Sequence, residues 1–208
     1  MGSYAQEPFK RELAIGFGGG ANFSSVSFTP KVDQNMLLGM HAGVTLRWIT
    51  EKNLGLSVEL NYAQQGWDEN IESEVPNTIK YNYTRKINYL EMPFMTHIYF
   101  GSNRARFIIN IGPKIGYALN ESSTENLNGA EPARVNEQHT MPIENRFDWG
   151  ICGGPGFELR TGIGSFILEG RYYFALGNIY GSNKEDFFPK SNGQTISVKL
   201  SYLINLWK

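Results

Sequence analysis

The feature that most constrains this chain is an alternation of apolar and other side chains, with a dominant period of two from Leu13 onward. That period belongs to a β-strand with one apolar face, because successive side chains leave an extended backbone on opposite sides. The last stretch is the clearest. Ile196, Val198, Leu200, Tyr202, Ile204 and Leu206 alternate with Thr195, Ser197, Lys199, Ser201, Leu203 and Asn205. Across 106–119, Phe107, Ile109, Ile111, Pro113, Ile115, Tyr117 and Leu119 oppose Arg106, Ile108, Asn110, Gly112, Lys114, Gly116 and Ala118. The same reading predicts eight strands near 12–24, 37–49, 54–66, 86–101, 105–120, 146–161, 164–177 and 194–207. An even number is what a closed antiparallel up-and-down barrel needs.

The connections alternate in length. Thr50-Glu51-Lys52-Asn53, Gly101-Ser102-Asn103-Arg104 and Thr161-Gly162-Ile163 are tight polar or Gly-bearing turns. The others, about 25–36, 67–85, 121–145 and 178–193, are long. All long loops therefore leave one end of the barrel, the asymmetry of outer-membrane barrels with short periplasmic turns and long extracellular loops. The chain is short enough for a single domain at 208 residues. It divides into a signal remnant at 1–11, where Ser3-Tyr4-Ala5-Gln6 resembles a small-residue cleavage end, and a barrel at 12–208.

Alternation alone fits a soluble, lipocalin-like barrel with an apolar interior as well as a membrane barrel with an apolar exterior. Residue size favours the second. The polar face collects Gly16, Gly18, Gly20, Gly39, Gly43, Gly55, Gly112, Gly116, Gly150, Gly154 and Gly156, which suit a cramped lumen, while bulky Leu, Ile, Phe, Tyr and Trp crowd the other face. Aromatics fall at strand ends: Trp48, Phe100, Phe107, Phe166 and Trp207 toward the short turns, and Phe23, Tyr62, Tyr117, Phe147, Trp149 and Phe174 toward the long loops. Two such girdles mark the interfaces of a bilayer. A net charge of −1 gives no basic footing for nucleic acid. The single Cys152 excludes an internal disulfide and a Cys-rich metal site, and no apolar run is long enough for a transmembrane helix.

Several motifs resemble the PorT-like outer-membrane β-barrel proteins of the Bacteroidota. Ile15-Gly16-Phe17-Gly18-Gly19-Gly20-Ala21-Asn22-Phe23-Ser24 looks like their Gly-rich opening strand, and Leu60-Asn61-Tyr62-Ala63-Gln64-Gln65-Gly66 like their third. Tyr89-Leu90-Glu91-Met92-Pro93-Phe94 and Asn110-Ile111-Gly112-Pro113-Lys114 are similar to the two strands that follow. The resemblance spans about 12–207 and implies an eight-stranded outer-membrane barrel inserted by the barrel assembly machinery. It implies little chemistry. Lys208 after Trp207 departs from the terminal aromatic usual in such barrels.

The lumenal parity gathers Arg47, Glu59, Glu91, Arg106, Lys114, Glu158, Arg160, Glu169, Arg171 and Lys199. Buried charges need partners, so these are expected to form an ion-pair network, with a polar path as the functional alternative. Counting back from the turn at 101–104 places Glu91 opposite Lys114. Glu59 with Glu91 as an acid/base pair, or His41 and His97 as metal ligands, lack the nucleophile or dense ligand cluster such chemistry requires. His139, beside Glu137 in the longest loop, is expected to be solvated. Trp67, Tyr81, Tyr180, Phe187 and Phe188, with Ile71, Val75, Ile79 and Tyr83, are candidate loop contacts for a partner or glycan, or else pack on the rim.

The expectation is a monomeric outer-membrane barrel without cofactor, metal or enzymatic activity, its loops extracellular and its termini periplasmic. Its role is structural or surface-interacting. A secretion-associated accessory barrel with a secretion-system or surface partner, and a soluble lipocalin-like binder, stand as alternatives.

Overall fold

The computed structural model describes residues 10–71, 81–126, 137–181 and 187–207. Residues 1–9, Val75, Ile79 and Lys208, and the side chains of Ile71, Tyr81 and Trp207, lie outside that description. Eight strands follow one another: β1 (Glu12–Thr29), β2 (Leu37–Glu51), β3 (Leu54–Ile71), β4 (Tyr81–Gly101), β5 (Ala105–Asn126), β6 (Phe147–Arg160), β7 (Ser165–Ala175) and β8 (Lys190–Trp207). One helical turn, α1 (Glu137–Thr140), lies between β5 and β6. Every strand pairs antiparallel with its sequence neighbour, and β8 returns to β1 to close the ring. The closing seam runs from Leu13 against Trp207 to Thr29 against Lys190. Along the closed part of the ring no strand edge is left to recruit another chain.

Parity decides the faces. Even positions of β1, β5 and β6 and odd positions of β2, β3, β4, β7 and β8 point inward. Phe17 is 65% exposed and Leu200 59%, whereas Glu158 is fully buried and Lys199 1% exposed. An apolar wall around a charged lumen is a barrel that needs a lipid solvent. The lipocalin-like alternative is thereby corrected, since its apolar face would have to turn inward.

The strands on the long-loop side run farther than expected. β3 and β4 continue as a ladder through Trp67↔Arg85, Glu69↔Tyr83 and Ile71↔Tyr81, inside what the sequence presents as a loop. Both faces of that ladder carry polar groups, so the alternation fades while the backbone hydrogen bonds persist. β5 contains a bulge: Asn88 pairs with Asn120 but Tyr89 with Ala118, leaving Leu119 extra. The bulge flips the parity beyond it and turns Glu121 to the same side as Arg85. On the short-turn side, Asn53 takes the left-handed φ of 69° that closes the β2–β3 turn.

Candidate functional site

The lumen holds three tiers of paired charge. Nearest the short turns, Arg47 Nη2 lies 2.9 Å from Glu158 Oε1 and Arg160 Nη2 lies 2.8 Å from Glu12 Oε2. Arg106 stands between both carboxylates at 3.9 and 4.0 Å, its guanidinium 4.2 Å from the Tyr99 ring centroid. In the middle tier Arg171 donates to Glu59 at 2.8 and 2.7 Å and to Glu169 at 2.6 and 2.7 Å. Lys199 Nζ approaches Glu59 to 2.7 Å. Asn61 donates to Glu59 at 2.9 Å and Asn110 to Glu169 at 2.7 Å. His97 Nδ1 meets the side-chain carbonyl oxygen of Asn110 at 2.8 Å, which makes Nδ1 the protonated nitrogen.

The third tier joins Lys114 and Gln65 to Glu91. Lys114 Nζ also sits 3.4 Å from the Tyr173 ring centroid, and the Tyr173 hydroxyl donates to Asp148 at 2.7 Å. The expected register is corrected by two residues: Glu91 faces Gly116, and Lys114 faces Pro93. The long lysine reaches Glu91 on the diagonal, a separation that such side chains span. Glu12, Asp148, Gln65 and Asn110 were missed from the sequence, although their parity puts each on the lumenal face.

Glu59 and Glu91 belong to different tiers, each held by its own cation, and do not pair with one another. His41 and His97 are both buried. Among the described residues no three His, Cys, Asp or Glu side chains converge as a metal site. Cys152 is buried and unbridged. Two spaces left inside are small: about 20 Å³ beside Ser24, Gln65, Tyr89 and Asp148, and about 10 Å³ beside Arg47, His97 and Glu169. Each has room for about one water.

Above the third tier the mouth is stoppered. Val26, Phe28, Trp67, Tyr83, Ile87, Tyr89, Ile179, Tyr180 and Phe188 form a buried apolar cluster. Phe28 packs edge-on to Trp67 at 5.2 Å and against Phe188 at 5.0 Å. Of the two readings open for Trp67, Tyr180 and Phe188, exposed contact or packing at the rim, their burial selects the packing. The parity of β3 simply continues inward through Gln65 to Trp67, and the segment after β7 folds over the opening. Asn145 secures that segment by donating to the Asn178 and Tyr180 carbonyls at 3.0 and 2.8 Å, and Ser191 Oγ accepts from the Tyr180 amide at 3.0 Å. Phe187 is 53% exposed.

His139 is also corrected, from solvated to docked. Its ring stacks on Tyr83 at 3.7 Å and its Nε2 lies 2.8 Å from Glu69, whose other oxygen accepts from Trp67 Nε1 at 2.8 Å. Arg85 is paired with Glu121 and lies 5.7 Å from the Trp67 ring. Burial pushes the hydroxyls of Tyr83 and Tyr180 above the ordinary phenol range.

Outside, the aromatic positions form two rows. Phe107 pairs with Phe100 and Phe157, and Phe166 with Tyr202, near the short turns. Trp48 is outward at the same end. Tyr62, Leu90, Tyr117 and Phe147 are successive cross-strand partners toward the long loops, where Phe23, Trp149 and the half-buried Phe174 also face outward. No helix among the described residues is long and apolar enough to cross a membrane.

Among solved structures, the chain is similar to Neisserial surface protein A (8% identity, 93% of this chain and 99% of that one, TM-score 0.44). It is similar to the outer membrane protein OprG from Pseudomonas aeruginosa (11%, 93% and 95%, 0.43) and to the outer membrane enzyme PagL (9%, 92% and 98%, 0.39). No curated protein sequence matches. The family described as outer membrane protein beta-barrel domain matches residues 4–181. The chain thus belongs to the outer membrane protein beta-barrel domain family, and it is an eight-stranded outer-membrane barrel.

Proposed function

We propose that this barrel is a closed, non-catalytic scaffold that acts through its long-loop end, which faces the cell surface while the short turns and both termini face the periplasm. The observation that carries the reading is the packed lumen: three tiers of paired charge lie beneath an aromatic stopper, with spaces of only about 20 and 10 Å³ beside them. Function then falls to the outer surface, in a structural or surface-interacting role. The protein works as a monomer in the lipid bilayer, reached through the barrel assembly machinery, with the two aromatic rows as its interfacial girdles. Within its family it is PorT-like, a kinship supported by the Gly-rich opening strand at 15–24 and the Tyr89-Leu90-Glu91-Met92-Pro93-Phe94 strand.

Orientation and closure have separate tests. On intact cells a membrane-impermeant maleimide should label Phe187→Cys at the long-loop end, and Ile163→Cys, on the exposed β6–β7 turn, only after permeabilisation. The reverse pattern overturns the orientation. In planar bilayers the folded protein should give no steady conductance, and a sustained open current would overturn the closed lumen.

A further inference from the structure

The segment that enters β6 lies over the aromatic stopper and is joined to β3 through one side chain, His139. We infer that His139 is a proton-operated latch: with a proton bound it clamps this segment onto Glu69 and tightens the cover over the plug, and without it the cover loosens.

The contacts come first. The turn α1 sets the His139 ring flat on Tyr83, with centroids 3.7 Å apart, and brings Nε2 to 2.8 Å from Glu69 Oε2. The two side chains of the pair are 6% and 1% exposed. Glu69 Oε1 accepts from Trp67 Nε1 at 2.8 Å, so a single carboxylate ties the covering segment to the fully buried ring at the centre of the plug. From the same segment Met141 and Ile143 pack against the aromatic cluster, and the Ile143 amide donates to Glu121 at 3.3 Å. Releasing His139 therefore lifts a packed cover off the stopper.

Charge gives the direction. The charged and titratable groups around the pair are Glu69 from β3, Tyr83 and Arg85 from β4, Glu121 and Glu125 from β5, and Tyr180 from the segment after β7. β1 contributes Val26 and Phe28 to the cluster, which carry no charge. Arg85 is balanced by Glu121, and Glu125, opposite Tyr83, is exposed to water. Among the described residues a neutral imidazole thus leaves the buried Glu69 as negative charge in excess, and an imidazolium balances it. Histidine is the side chain whose charge ordinarily changes between pH 5 and 8. The neutral ring can still donate to the carboxylate, but the charged one makes a hydrogen bond roughly twice as strong.

The latch works in the same way whichever side of the membrane the long loops face, and it is tested on folded protein in micelles. Met141→Cys in a Cys152→Ala background places a thiol against the plug, where N-ethylmaleimide reaches it when the cover lifts. Labelling rates at pH 5.5 and pH 8 are divided by those of Phe187→Cys in the same background, 53% exposed, which removes the pH dependence of the reagent. The covered thiol should be about fivefold better protected at pH 5.5 than at pH 8. Adding His139→Gln should make the protection equal at the two pH values. Adding Glu69→Gln, which keeps an acceptor for Trp67 Nε1 without the charge, should do the same. Heat-dependent gel mobility retained by each variant separates a lifted cover from an unfolded barrel. Equal protection at both pH values with His139 and Glu69 intact overturns the latch. Acid protection that survives His139→Gln overturns His139 as the group that takes the proton, and acid protection that survives Glu69→Gln overturns the carboxylate as its partner.

Discussion

Arg171 and Glu59 join hands across the barrel: two hydrogen bonds of 2.8 and 2.7 Å link β7 to β3, strands that are not neighbours in the sheet. The same guanidinium holds Glu169 on its own strand, so one cation anchors two buried carboxylates.

Removing that cation should destabilise the barrel strongly. Arg171→Met leaves Glu169 without its ion-pair partner and Glu59 with Lys199 alone, and stranding a buried charge costs about 3 kcal/mol or more. Denaturant titration in micelles should show this loss. Arg171→Met with Glu169→Gln should recover part of it, because the second change removes the orphaned charge. A single variant as stable as wild type would show that the pair contributes nothing.

The narrow seam predicts intolerance of one methyl group. A Cβ added at Gly20 would come within 1.8 Å of the Val198 carbonyl oxygen, a backbone atom of the closing strand that cannot yield. Gly20→Ala should therefore cost about 3 kcal/mol or prevent closure, read as loss of heat-modifiable mobility. At Gly162, in the β6–β7 turn, a Cβ meets nothing within 4 Å, and Gly162→Ala should fold as wild type does.

The stopper predicts a stability effect and an electrical one. Trp67 is fully buried and packed on Phe28, so Trp67→Ala should cost about 3–5 kcal/mol. Bilayer recordings should remain silent, because the three charged tiers beneath still fill the lumen. Conductance from this variant alone would assign the seal to the aromatic cluster and not to the tiers.

Alkaline pH should loosen the mouth. Tyr180 and Tyr83 sit above the lipid-facing wall, and burial raises both hydroxyls above their ordinary value. A phenol raised in the folded state keeps its full contribution below the unfolded pKa of about 10 and loses it as pH climbs from there toward the folded value, by up to about 1.4 kcal/mol per pH unit for each group. Unfolding midpoints between pH 9 and 11.5, roughly the range over which free phenols ionise, should fall more steeply for wild type than for Tyr180→Phe. Parallel curves would remove Tyr180 from the account.

Much of this protein is legible in a single rule of alternation. Strand number, the closed antiparallel order and the assignment of Arg47, Glu59, Glu158, Glu169, Arg171 and Lys199 to one face all follow from parity, since side chains on an extended backbone have only two directions. Parity also carried, unused, as far as Trp67 and Phe28, whose place in the stopper needed only the continuation of β3 and β1 inward. What failed was the outer limit of the strands. Where Asp68, Glu69, Thr84 and Arg85 put polar groups on both faces, the hydrogen-bonded ladder leaves no trace in hydropathy.

Other features were settled only in three dimensions. The Leu119 bulge shifts every later side chain of β5 and brings Glu121 to Arg85, a change of face that no local residue announces. His139 reaches Glu69 across 70 positions of sequence, and Arg171 reaches Glu59 across 112. Local alternation settles which side chains face outward and which face one another, because that choice is binary at every position of a strand. Which charge meets which partner, and whether the loops leave the lumen open or fold into it, was decided by the tertiary structure, because those contacts depend on the register and curvature of eight strands closed into one ring.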